Sequence, residues 1–149
     1  MDWKARAPVL AAGLWWGSLT AIGFLAVPLV FATLSSPAQA GMVAAKLFSG
    51  QTWVGVCCGL LLLMLSGAAE ERPSMDWGQG ALMYVLPGML LALLQEFAIA
   101  PRIVLRQDLA FWHSMGTGAY AAQWLCALVV FWKMTNKDRH PGESRDPGV

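Results

Sequence analysis

Charge is what this chain has least of. Asp, Glu, Lys and Arg supply 13% of its 149 residues, about half the share found in ordinary soluble domains. Hydrophobic residues supply 57%, and the mean hydropathy is +0.53. This balance excludes a soluble globular enzyme and a disordered chain. Lys plus Arg number 10 and Asp plus Glu 9, for a net charge of +1. That is no footprint for a phosphate backbone, so no nucleic-acid partner is expected. Cysteine is scarce too. Cys57 and Cys58 are neighbours and Cys126 lies far downstream, which fits neither a Cys-x-x-Cys metal site nor a haem-attachment motif. These thiols read as small apolar residues. Histidine occurs only at His113 and His140. His140 falls in a polar tail, so one chain cannot clasp a haem between two histidines inside a bundle. A P-loop, a Gly-x-Gly-x-x-Gly turn and a Gly-x-Ser-x-Gly elbow are all missing. No metal and no cofactor are expected.

What is present is long, charge-free sequence. No Asp, Glu, Lys or Arg occurs between Arg6 and Lys46. A helix needs about 20 mostly apolar residues to cross ~30 Å of hydrocarbon. The expected fold is all-α, an integral membrane four-helix bundle with spans near residues 9–33, 51–68, 80–100 and 110–132. These spans fill a single transmembrane domain over residues 1–134, and residues 135–149 read as a disordered polar tail. Lys4, Arg6 and the Ala38-Gln-Ala40 step resemble a signal peptide. The apolar stretch between them is longer than a usual h-region and contains Trp15 and Trp16, so a retained helix is expected. The stretch from Pro37 to Gly50 is too polar to span and too apolar for a free loop. Met42, Val43, Leu47 and Phe48 recur there at helical spacing. It is expected to form a short interfacial helix between spans one and two, or to extend the second helix.

Basic residues set the topology. With four spans, both termini share a side with the loop between spans two and three. That side holds Lys4, Arg6, Arg72, Lys133, Lys137, Arg139 and Arg145, and the other holds Lys46, Arg102 and Arg106. Both termini are therefore expected in the cytoplasm, the chain being multi-pass in a cell (inner) membrane. Trp3, Trp53, Trp77, Trp112 and Trp132 fall near expected span ends, where amphipathic rings favour the headgroup zone. Trp15, Trp16 and Trp124 lie deeper and read as packing residues.

Helices in lipid associate through close backbone contact, which small residues permit. Gly13 and Gly17, Gly55 and Gly59, Gly88 with Ala92, and the run Ser114, Gly118, Ala122 and Cys126 provide that spacing. They support a bundle within one chain or a homo-oligomer equally. Pro28 and Pro87 each remove a backbone donor inside a span and are expected to bend it.

Glu96 is the most informative residue. An acid inside a span costs several kcal/mol unless it is paired, protonated or near water. Its spacing from Gly88 and Ala92 aims it into the bundle. Spans three and four meet at one membrane side, so Glu96, Arg102, Asp108 and His113 are expected to converge there, with Gln51 beside them. The cluster reads either as a polar cap over helix ends or as a proton or cation site. No catalytic residue is assigned.

The order of several segments resembles a known family. They are Gly13-Leu-Trp-Trp-Gly17 followed by Phe24 and Pro28; Ala44-Ala-Lys-Leu-Phe48; Pro101-Arg102-Ile103; and Asp108 with Phe111 and His113. Over about Leu10 to Trp132 the chain resembles the transmembrane-protein-205-like family, a domain of unknown function. That resemblance implies a four-span membrane protein without an established enzymatic activity, and it supplies no catalytic residues. The small four-span protoporphyrinogen oxidases share a Pro-Arg step, but here the first span has no histidine and the expected basic motif after the second span is missing. Three readings follow: a non-enzymatic scaffold or accessory membrane subunit, a small transporter or ion-permeation protein using Glu96, and a membrane oxidoreductase with a bound cofactor. Beyond the lipid bilayer, the partners expected are a second copy or another membrane protein.

Overall fold

A computed structural model describes residues 3–67 and 76–137 of the chain. Every regular element in these residues is helical, and four of the helices are long and apolar enough to cross a membrane: Arg6–Thr33, Pro37–Ser66, Met83–Val104 and Leu109–Asn136. The protein is an all-α integral membrane four-helix bundle. Arg72 lies outside the described residues. So does the tail beyond Lys137; Thr135, Asn136 and Lys137, expected to belong to that tail, instead continue the last helix.

Of the two alternatives for residues 37–50, an interfacial helix or an extension of the second helix, the extension is observed. Residues 37–50 form no separate interfacial helix but the first half of one unbroken helix, Pro37–Gly67. Pro37 suits a first helical turn because its missing N–H would have had no partner there. Ala40 N donates to Ser36 O at 3.0 Å to close that turn. Lys46 does not interrupt the helix because its side chain points outward, where a long stem can carry the ammonium toward the headgroups. The extension moves Gln51 and Trp53 from a span end to the middle of a span. Trp53 faces outward there, 52% exposed.

Each helix packs on its two neighbours in ring order, first on second, second on third, third on fourth, fourth on first. The ring is built from two similar hairpins. Spans one and three each contain a single π-turn, at Ile22–Ala26 and Gln95–Ile99. Each π-turn is followed, after one residue, by a proline, Pro28 or Pro101. Proline cannot donate to the helical ladder and its ring crowds the carbonyl a turn earlier. A widened turn just before it relieves that crowding. By contrast Pro87, expected to bend its span, sits within the uninterrupted helix Asp76–Leu94.

Burial repeats with the prolines. Ala12, Trp15 and Leu19 are buried in span one, and Val85, Gly88 and Ala92 are buried at the same offsets in span three. Spans two and four match likewise. Ala44, Gln51, Gly55, Cys58 and Leu62 are buried in one, and Gly116, Gln123, Ala127, Val130 and Met134 at identical spacing in the other. Diagonal spans meet at equivalent positions, as a two-fold relation between the hairpins requires. The Trp15 ring lies where a Cβ on Gly88 would stand, 2.7 Å away. Phe48 and Tyr120 meet edge to face with centroids 5.1 Å apart. Such parallel repeats about an axis along the membrane normal recur among membrane proteins.

Small residues decide how closely the hairpins approach. Built Cβ atoms would stand 2.4 Å from the Met89 sulfur at Gly59, 3.0 Å from the Trp15 indole nitrogen at Gly55 and 3.2 Å from the Phe131 ring at Gly13. Gly17 and Gly118 have nothing within 4 Å, so those two expected contacts are not made inside this chain. Ser114 and Gly118 face outward.

Candidate functional site

The π-turn of span three positions Glu96. Its carboxylate reaches across to span two, where Ser49 Oγ donates to Glu96 Oε1 at 2.6 Å. Both residues are half-buried. The distance is that of a short O–H···O hydrogen bond. Gln95, the preceding residue, has a buried side-chain oxygen without a protein partner.

The other expected members of the cluster are distributed differently. Arg102 turns back along its own helix and donates to Ala98 O at 2.6 Å. Its guanidinium lies over the Trp112 ring, 4.5 Å from the centroid. A cation at a helix C-terminus also opposes the partial negative charge there, so Arg102 clamps the junction between spans three and four. That junction ends span three with paired bonds, Gln107 N to Arg102 O and Arg106 N to Ile103 O, both 3.0 Å. Arg106 occupies the left-handed position normally given to glycine, at φ 54°. Asp108 also has positive φ, 38°, and accepts at its carbonyl from Trp112 N. Asp108 and His113 are exposed. Glu96 and Arg102 therefore engage different partners on different sides of span three.

Gln51 lies away from this end, in the middle of the bundle. It is 4% exposed and its Nε2 donates to Ser18 Oγ at 3.0 Å. Its counterpart Gln123 is 2% exposed, and its Nε2 has no partner in the protein. The repeat explains the difference, because span three carries Leu91 where span one carries Ser18.

Sequence reading missed Ser49 and Tyr120. Tyr120 Oη donates to Leu19 O at 2.7 Å, and the Gly23 amide faces the same hydroxyl. A Cβ on Gly23 would stand 2.6 Å from the ring. The phenol is thus inserted into the backbone ladder of span one at its π-turn. Two signals could have located these residues. Gly23 and Glu96 stand equally far ahead of their prolines, and Phe48 and Tyr120 equally far after Ala44 and Gly116.

Among the described residues no group of three His, Cys, Asp or Glu side chains is arranged to hold a metal ion. The polar links between spans among the described residues are a carboxylate–serine pair, a glutamine–serine pair, a phenol on a backbone carbonyl, and the Trp124 indole N–H donating to Thr20 Oγ1 at 2.9 Å. Each ties two spans together.

Comparison with curated proteins and with solved structures gives no match. A family model, the domain of unknown function DUF4149, matches residues 10–111. The match runs from the first span into the start of the fourth and includes Gln51, Glu96, Arg102 and Asp108, while His113 lies just beyond it. It covers more than half of the chain, and the chain belongs to the DUF4149 family.

Proposed function

We propose that this integral membrane protein is a non-enzymatic accessory or scaffold subunit, not a pore. One observation carries the reading: the bundle axis is filled. Trp15 is 0% exposed and wedged against Gly55 and Gly88. Phe48 and Tyr120 close the axis at a second level. A water-filled path along that axis would require these rings to leave. Arg102 engaged on its own helix end and Asp108 and His113 exposed also fit a structural role better than a reaction centre.

Proteoliposomes containing the purified full-length chain test this. Flux of protons, sodium and potassium is expected to equal that of empty vesicles, and extraction from native membranes in mild detergent is expected to bring a stoichiometric membrane partner or a second copy. Flux above the empty-vesicle rate that disappears in Glu96→Gln overturns the reading in favour of permeation.

Two finer assignments belong with this proposal. The ordered segments from Gly13 to His113 support membership of the transmembrane-protein-205-like branch of the family. The Lys and Arg distribution supports an inner-membrane location with both termini cytoplasmic. A reporter fused at Val149 is expected to report the cytoplasmic side, and activity only outside it reverses the topology.

A further inference from the structure

Span three carries an ionisable group where its twin carries none. Five residues before the proline, span one has Gly23 and span three has Glu96. The twin π-turn is held by a neutral hydroxyl, that of Tyr120, acting on the backbone. A π-turn of this kind therefore needs no carboxylate. At the second π-turn the tyrosine is replaced by Phe48, which has no hydroxyl, and the link between spans shifts one residue to Ser49. A neutral amide at position 96 could accept the same serine bond, though a weaker one. The acid provides something the fold does not require.

We propose that Glu96, with Ser49 as its hydrogen-bond partner, is a proton-binding site within the membrane. As a carboxylate, Glu96 Oε1 accepts from Ser49 Oγ. A proton arriving on Oε1 reverses this bond: the carboxyl now donates to Ser49 Oγ. The serine hydroxyl proton turns to the carbonyl of Ala45, four residues back on its own helix. The link between spans two and three changes from a charge-assisted bond to a neutral one, which is about half as strong.

The surrounding charges leave the site to these two residues. On its own span, Arg102 is engaged by Ala98 O and Trp112. On span two, Lys46 is exposed, and on the approach to span four Asp108 and His113 are exposed. Tyr120, also on span four, is bound to Leu19 O. The protein partner of Glu96 is a neutral hydroxyl and not a fixed cation.

The test uses an apolar carbodiimide, dicyclohexylcarbodiimide, on the full-length protein in lipid vesicles over a pH series. The reagent adds to a protonated carboxyl, whose proton moves to a carbodiimide nitrogen as a carbon–oxygen bond forms. The adduct rearranges to a stable N-acylurea with no leaving group, so the whole reagent mass appears on the residue. The expected result is an adduct on Glu96 whose yield falls as pH rises. Ser49→Ala removes the hydroxyl partner of Glu96, and is expected to change adduct yield several-fold at the alkaline end of the series. Infrared difference spectra between acid and alkaline samples are expected to show a carboxylic-acid carbonyl band that Glu96→Gln abolishes. An absence of adduct and acid band at every pH overturns the proposal. So does a yield that ignores pH, or a Ser49→Ala profile that superimposes on the wild type. If either variant fails to assemble, the wild-type pH profile and acid band decide alone. The proposal stands apart from the accessory role, since a protein without flux can still bind this proton.

Discussion

In the first span a phenol from the fourth enters the π-turn and bonds to the backbone itself. In the third span a carboxylate leaves the π-turn and meets a serine of the second. The same local irregularity, placed by the same proline, is satisfied from inside in one hairpin and extended outward in the other. At mid-depth the halves differ again. Gln51 finds Ser18, while Gln123 Nε2 has no partner and the position in span three that matches Ser18 is Leu91. Each hairpin leaves two buried polar atoms without a protein partner, the Trp15 and Trp16 indole nitrogens in the first and the Gln95 oxygen and Gln123 nitrogen in the second. The halves differ in kind, because the second also holds the acid.

The largest effect is expected at the axis. Trp15→Gly leaves a void, and Gly88→Trp drives a second indole into the first. Each single change is expected to cost about 3 kcal/mol or more, because packing, not transfer from water, holds helices together in lipid. The exchange of both residues is expected to recover at least half of that loss, as equivalent sites on a two-fold should. Unfolding in mixed micelles by SDS titration measures all three, and an exchange variant no better than the singles disproves the equivalence.

Tyr120→Phe gives the first π-turn the aromatic residue of the second. It is expected to cost about 1 kcal/mol by the same titration, since a buried carbonyl loses its partner. A loss indistinguishable from zero would mean the phenol is packing and nothing more. The smallest effect sharpens the comparison in the opposite direction. Leu91→Ser supplies the hydroxyl that Gln123 lacks and is expected to stabilise by about 0.5 kcal/mol, the typical worth of such bonds in membranes. Destabilisation by as much would show that the Gln123 amide is already served.

The spans were legible from charge-free runs because lipid imposes one requirement on all of them, internal hydrogen bonding under an apolar surface. Lys46 misled the reading of the second span. A lysine marks a boundary only when its stem cannot reach the interface, and this one points outward. The site was less legible. Glu96 was evident as an acid among apolar residues, but its partner Ser49 is one of many serines and carries no signal without the repeat. Arg102 has the charge to pair with Glu96, yet a stacking ring and a helix-end carbonyl lie closer to its own helix. Gln51 was placed at a membrane edge only because its helix was expected to start fourteen residues too late.

The pairing of Trp15 with Gly88 also limits what either hairpin could do by itself. Two copies of the first would bring two indoles to one place, and two copies of the second would bring none. Only a mixed pair fills the centre. Each hairpin is therefore specific for its sibling, and separate expression of the halves is expected to yield a complex of unlike chains and no complex of like ones.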